Sequence, residues 1–319
     1  MAPQNYLFII GTAKAGTSAL ANWLGARDDM VLGKIKEPRT HSDLDQTPWD
    51  GPASAEFRQT ILADTHSYDQ NFAHKPEAEW VIDASTDYLW CPASPGRLAD
   101  FAKTRRCKFV CLTRDPVART ISQYRHTLRL GTAETLRQAL DREAARIKMH
   151  WQPLYWHIRR SHIERDIQTY ADLFGNDLLI LDYDDLQDPN KVLARVARFL
   201  EVPVQPLLGQ SEYNTTLLPR NRLVAALYRN AGLRDTLRNL VPVPLRSRLR
   251  ALGHTTRPVQ VSEKEKHLVL TLLKDEIAAC ITNPLIPTQN WRSAQALDTC
   301  TATHTHSLLK KWRKNALGS

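Results

Sequence analysis

The chain has 319 residues, 42% of them hydrophobic and 24% charged, which is enough apolar material for a sizeable core and too little charge for a disordered chain. No run of roughly eighteen apolar residues occurs, which excludes a membrane-spanning helix. The 43 basic residues exceed the 34 acidic ones and leave a net charge of +9, which points to an anionic partner.

Residues 6–10 (Tyr-Leu-Phe-Ile-Ile) are a continuous apolar run of β-formers and predict a buried parallel strand. A glycine-bounded loop from Gly11 to Gly16 follows, and residues 17–26 place Leu20, Trp23 and Leu24 at helical spacing. Strand, loop and helix in that order open a parallel α/β unit. Short strands are expected at 30–32 and 80–82, separated by a polar stretch at 33–43 and a loop-rich region with a helix near 55–63. A helix at 94–103 precedes a clear strand at 107–112. Pro116 suits a first helical turn, so a helix spans 116–129 and stops at Gly131. Helices over 135–149 and 154–174, a strand over 177–183 and an amphipathic helix over 189–200 come next. Ser262 and Glu265 form a capping box at the head of a last helix, 262–281. The expected fold class is α/β: a single three-layer, P-loop-like domain with a central parallel sheet and a helical C-terminal portion. It spans 1–291, with an arginine-rich helical part at 204–291, and a polar, basic and mobile tail at 292–319.

Five scattered cysteines contain no Cys-x-x-Cys, and eleven histidines contain no His-Glu-x-x-His, so neither a disulfide framework nor a metal site is indicated. The N-terminus lacks a basic stretch and does not read as a signal peptide, which makes a cytoplasmic location the default. From Arg220 to Arg257 there are nine arginines, no lysine and one acid, Asp235. This block is either a docking surface for an anionic polymer or lipid, or a solvated face of amphipathic helices. No nucleic-acid partner is expected.

Two motifs carry chemistry. Residues 11–18 (Gly-Thr-Ala-Lys-Ala-Gly-Thr-Ser) lie between a strand and a helix, where main-chain amides face a bound anion. Lys14 adds a mobile cation, and Thr17 and Ser18 add hydroxyls. In a nucleotide-triphosphate loop the lysine follows the second glycine; here it precedes Gly16 by two, which disfavours a magnesium–γ-phosphate site. Residues 112–124 (Leu-Thr-Arg-Asp-Pro-Val-Ala-Arg-Thr-Ile-Ser-Gln-Tyr) put Arg114 just past a strand's C-terminal end and Ser122 two turns into the next helix. Arg114 either grips a phosphate with its planar fork or pairs with Asp115 or Asp185. Arg119 lies in the same motif with solvent as its expected surroundings, whereas Tyr124 is expected in the core. Trp151, Tyr155 and Trp156 form either an acceptor platform or core packing.

At these residues the chain resembles the sulfotransferases that use 3′-phosphoadenosine 5′-phosphosulfate (PAPS). The resemblance implies that Lys14, Ala15, Gly16, Thr17 and Ser18 hold the 5′-phosphosulfate and that Arg114 and Ser122 hold the 3′-phosphate. It extends through residues 181–186 (Leu-Asp-Tyr-Asp-Asp-Leu) to Pro203, and Asn214 and Arg220 fall by position where the family completes the adenosine pocket. The likeness is to the carbohydrate branch and its bacterial relatives, whose Lys-Glu pair is matched by Lys36 and Glu37 before Pro38. In that branch the glutamate is the base, which makes Glu37, Lys14 and Lys36 the implied catalytic residues. Aromatic residues follow the pair in the family, whereas Arg39, Thr40, His41 and Ser42 follow it here, so His41 and Asp43 are alternative bases. Residues 83–89 match the acceptor-side loop, with Ala84 where a lysine is often found. The implied reaction is in-line sulfuryl transfer to a hydroxyl of a carbohydrate, lipid or phenol, with no metal required. Two other readings stay open: a P-loop kinase or nucleotidase, for which Asp182 is the best magnesium ligand, and a non-catalytic binder of acidic glycan or membrane through the arginine block.

Overall fold

The structure is a computed structural model and describes residues 5–129, 132, 134–207, 218–219, 254–255 and 259–297. Five strands, β1 (Asn5–Gly11), β2 (Met30–Leu32), β3 (Trp80–Asp83), β4 (Cys107–Thr113) and β5 (Leu178–Asp182), build one parallel sheet in the order β2-β3-β1-β4-β5. β1 lies at its centre because it is apolar on both faces, as a parallel strand covered by helices must be. Leu7 and Ile9 point into one core with Leu20, Leu24 and Val196, while Phe8 and Ile10 point into the other with Leu98, Ile121, Ile167 and Leu273. The first core is covered by α1 (Thr17–Gly25) and α9 (Pro189–Leu200). The second is covered by α4 (Ser94–Ala102), α5 (Pro116–Arg129), α8 (Glu164–Phe174) and α10 (Glu263–Thr282). The result is the expected three-layer α/β arrangement with a central parallel sheet.

The remaining helices α2 (Ser54–Gln59), α3 (Thr65–Phe72), α6 (Leu136–Asp141) and α7 (Glu143–Lys148) are short. A two-residue antiparallel pair joins β6 (Leu218–Pro219) to β7 (His254–Thr255). Ser262 caps α10 through the predicted box, its Oγ accepting from Glu265 N and the Glu265 carboxylate accepting from Ser262 N. The chain then runs back to the sheet: Trp291 Nε1 donates to Asp182 at 2.8 Å, and Ser293 N donates to Asp115 Oδ2 at 2.9 Å. Among the described residues no helix is long and apolar enough to cross a membrane.

Three elements differ from expectation. The helix over 135–149 is two helices, α6 and α7, and the one near 55–63 is the shorter α2. The helix expected over 154–174 begins only at Glu164. Its first half holds only two short 3-10 turns, Pro153–Tyr155 and Arg159–Ser161, because the buried Glu143 carboxylate accepts from the main-chain N–H groups of His157, Ile158 and Arg159 and so removes them from α-helical pairing. Gly131, Asn214 and all nine arginines of the block from Arg220 to Arg257 lie outside the described residues, as does the chain beyond 297.

Candidate active site

β1 ends at Gly11, and the chain turns over the C-terminal edge of the sheet into α1. Two residues of this turn adopt the left-handed conformation, Lys14 (φ 72°) and Gly16 (φ 84°). Glycine is needed at 16: the φ disfavours any Cβ, and one built there runs into Leu186 Cδ1. Gly16 is the N-cap of α1 and offers no side chain, so no side-chain cap competes with an incoming anion at the head of the helix.

β4 delivers the second motif beside the first. Arg114 Nη1 donates to the main-chain carbonyl of Lys14 at 2.6 Å, and the guanidinium lies 4.0 Å over the Tyr183 ring. Neither carboxylate expected as a rival partner holds it: Asp115 Oδ1 caps α5 by accepting from Val117 N and Ala118 N, and Asp185 pairs with Arg195 at 3.0 Å. The Arg114 Nε atom is buried without a partner, which leaves a donor in place for an anion. Ser122 is half-buried on the same helix.

One turn beyond Ser122 stands His126, which the sequence reading missed although its i+4 spacing puts it on the same face. Its Nδ1 lies 3.4 Å from Lys14 Nζ. Burial, with Lys14 and Arg129 adding to it, pushes the imidazole down to about 3 and keeps it neutral. The Lys14 ammonium is itself pushed down to about 8, by burial and by the cations Arg129, Arg114 and Lys36. A half-buried lysine among three further cations makes a region of positive potential that an anion would relieve.

Lys36 connects this turn to the Lys-Glu pair. Its Nζ donates to Ser18 Oγ at 2.6 Å and lies 3.0 Å from Glu37 Oε1. The other carboxylate oxygen, Oε2, accepts from Arg39 Nη2 at 2.7 Å and from Thr86 Oγ1 at 3.4 Å. Glu37 is one-fifth exposed, so it is reachable from solvent yet fixed by its neighbours. The predicted turn of Lys14, Ala15, Gly16, Thr17 and Ser18 is thus linked directly to Arg114 through the Lys14 carbonyl and to Lys36 and Glu37 through Ser18, with Ala15 and Thr17 themselves buried.

Other candidates fall elsewhere. His41 is packed among the rings of Phe8, Tyr68, Tyr88 and Phe101, and burial lowers it to about 4. Asp43 accepts from Cys91 Sγ. Arg119 does not face solvent: it is fully buried, donating to Ser161 Oγ at 2.6 Å and to the His157 carbonyl, because α5 is covered along that face by residues 157–161. Tyr124 packs in the core and donates to the Glu134 carbonyl. Tyr155 and Trp156 are also core, Trp156 stacking edge-on to Trp90. Asp182 is taken up structurally, accepting from Trp291 Nε1, Thr113 Oγ1 and Asp184 N, which removes the best feature of the kinase reading. Among the described residues no group of three or more His, Cys, Asp or Glu side chains has the arrangement of a metal site.

Comparison with known proteins bears on this surface. The family described as the sulfotransferase domain matches residues 4–217. Among solved structures, a sulfotransferase from Alicyclobacillus acidocaldarius is 26% identical, with a TM-score of 0.62 over 79% of this chain and 96% of its own. A sulfotransferase domain from the curacin biosynthetic pathway is 14% identical, with a TM-score of 0.44 over 85% of this chain and 98% of its own. Retinol dehydratase, solved with androsterone and the inactive cofactor PAP, is 15% identical, with a TM-score of 0.40 over 85% and 80% of the two chains. These last two are too remote to bear on the site. Among curated proteins none matches.

Proposed function

Because the chain belongs to the sulfotransferase domain family, we propose that it transfers a sulfuryl group from PAPS to an acceptor hydroxyl, with the turn around Lys14 as the donor site and Glu37 as the base. The observation that carries this reading is the half-buried ammonium of Lys14, set among Arg114, Arg129 and Lys36 and pushed down to about 8, beside a helix N-terminus with no side-chain cap. That environment suits a dianionic phosphate, and the buried Arg114 Nε suits a second phosphate on the same nucleotide.

When bound, PAPS supplies a sulfuryl group whose bond to the 5′-phosphate breaks as the acceptor oxygen bonds to sulfur, the leaving phosphate keeping the electron pair. Lys14 and the first-turn amides of α1 neutralise charge at that phosphate, with Thr17 and Ser18 adding hydroxyl donors. Lys36, already bridging Ser18 and Glu37, holds the base beside the donor loop. Glu37 takes the acceptor's hydroxyl proton, a contribution of about 10²–10⁴-fold for a positioned base. Carbohydrate is the acceptor class proposed, with lipid and phenol as the alternatives.

The test is calorimetric titration with adenosine 3′,5′-bisphosphate against ATP plus magnesium, followed by an acceptor screen with sulfur-labelled donor. Tight binding of the bisphosphate and transfer of label to a hydroxylated acceptor are expected. Preference for ATP plus magnesium would overturn the reading.

A further inference from the structure

Resting on the reading of Glu37 as base, we infer that Arg39 is the positioning residue for that carboxylate, anchored behind the site by Asp87 and Arg160. Arg39 meets Glu37 twice: Nη2 donates to Oε2 at 2.7 Å, and Nη1 donates to the Glu37 main-chain carbonyl at 2.6 Å. Nη1 also reaches Thr60 Oγ1 at 2.7 Å, and Nε donates to Asp87 Oδ2 at 2.5 Å. One planar guanidinium thus spans four oxygens on three segments of the chain, and its plane is fixed by them.

The anchor is as tightly held as the clamp. Asp87 is 2% exposed; its second oxygen, Oδ1, pairs with Arg160 Nη2 at 2.7 Å and accepts from Trp90 Nε1 at 2.8 Å. Burial opposes its ionisation, but Arg160 and Arg39 outweigh burial and hold the carboxyl well below the usual range. The Arg39 backbone is in the left-handed region (φ 56°), and its N–H donates to Ser85 Oγ at 3.0 Å. A strained backbone and a buried charge are both costly, and they persist where the surroundings over-determine them.

Arg39 grips both Oε2 and the main-chain carbonyl of the same residue, so it fixes the Glu37 rotamer rather than merely balancing its charge. That leaves Oε1, 3.0 Å from Lys36 Nζ, as the oxygen that takes the acceptor's proton. The chain Glu37–Arg39–Asp87–Arg160 therefore carries positional order from the core to the base.

The test compares kcat, KM and bisphosphate affinity for Arg39→Lys, Arg39→Met, Glu37→Gln and the Glu37→Gln/Arg39→Met double variant. Arg39→Met is expected to lower kcat about 10²-fold, the cost of a misplaced catalytic group. Arg39→Lys keeps a charge for Asp87 but spans fewer oxygens, and is expected to lose about tenfold in kcat with bisphosphate affinity unchanged within about twofold. In the Glu37→Gln background, Arg39→Met should change kcat by less than about twofold, because both substitutions act through one carboxylate. Should Arg39→Met not fold, Arg39→Lys alone and combined with Glu37→Gln decides by the same criteria. Wild-type kcat in Arg39→Lys, or a full further loss in the double variant, overturns the positioning role. Near-wild-type turnover in Glu37→Gln removes the base itself, and so separates failure of the underlying reading from failure of this inference.

Discussion

The guanidinium of Arg114 donates to the main-chain carbonyl of Lys14 at 2.6 Å, joining two motifs that lie 100 residues apart in sequence. Each motif sits past the C-terminal end of a central strand, β1 or β4, and those strands are hydrogen-bonded neighbours. Ligands collect at such strand ends in parallel sheets, so the contact follows from the topology.

Loss of either cation should therefore weaken the same ligand. Lys14→Ala and Arg114→Ala are each expected to reduce affinity for adenosine 3′,5′-bisphosphate by about 1.5–3 kcal/mol, the usual range for a hydrogen bond to a charged group. Arg114→Ala also removes the guanidinium from the Tyr183 ring and from the Lys14 carbonyl, so it should be the costlier of the two. Calorimetry checks both, and unchanged affinity in the pair would mean that the ligand sits elsewhere.

The Lys14 ammonium adds a pH dependence. Its proton is lost as pH rises through about 8 in the free protein, whereas bound phosphate holds the proton on. Affinity for the bisphosphate should be flat from about 7, above the second ionisation of a phosphate monoester, up to that point and fall beyond it, approaching about one log unit per pH unit. Lys14→Arg, which stays charged, should abolish the break. Stability of the ligand-free protein should move the other way: the unfolded chain binds more protons between about 8 and the ordinary lysine value, so stability rises across that window. Titrations at a series of pH values, with thermal melts alongside, measure the two trends.

Gly16 gives a geometric test of the turn. An alanine there meets two separate costs: the left-handed backbone, about 1–2 kcal/mol, and the contact with Leu186 Cδ1. Gly16→Ala should lower stability and weaken bisphosphate binding together. Adding Leu186→Ala relieves the contact but not the backbone, so the double variant should recover part of the loss relative to Leu186→Ala alone. Chemical denaturation separates the two; complete recovery would show that backbone strain at 16 is unimportant.

Strands β1, β4 and β5 were legible in the sequence because parallel strands buried on both faces are apolar throughout, and the Lys14 turn was legible because its glycines punctuate it. What was hidden depends on contacts between distant segments. Arg119 has a charged side chain on a helix, and nothing local indicates that residues 157–161 bury it. His126 becomes meaningful only once the turn at Lys14 is folded against α5. Arg39 looks like a departure from the aromatic pattern after the Lys-Glu pair, and its pairing with Asp87 across 48 residues of sequence appears only in the fold. The helix over 154–174 has the right periodicity, yet a carboxylate from α7 takes the amides that its first turns would need.

That carboxylate, Glu143, yields a prediction about stability apart from the proposed active site. It accepts from His157 N at 2.6 Å, Ile158 N at 2.9 Å and Arg159 N at 2.8 Å, and it is 6% exposed. Burial would raise its carboxyl, but the hydrogen bonds from His157 and from the amides of Arg159 and Ile158 prevail and lower it. A group with a depressed folded value contributes stability at neutral pH that is lost as pH falls through the acid range. Glu143→Gln keeps the size but turns one acceptor oxygen into a donor aimed at N–H groups, and should cost about 2–4 kcal/mol by stranding buried amides. The acid limb of the stability curve should flatten in the variant, while bisphosphate affinity stays near that of the parent because the turn at Lys14 is untouched. Denaturant melts between neutral and acid pH decide the matter: an unaltered midpoint in Glu143→Gln would mean that the 157–159 segment holds its shape without the carboxylate.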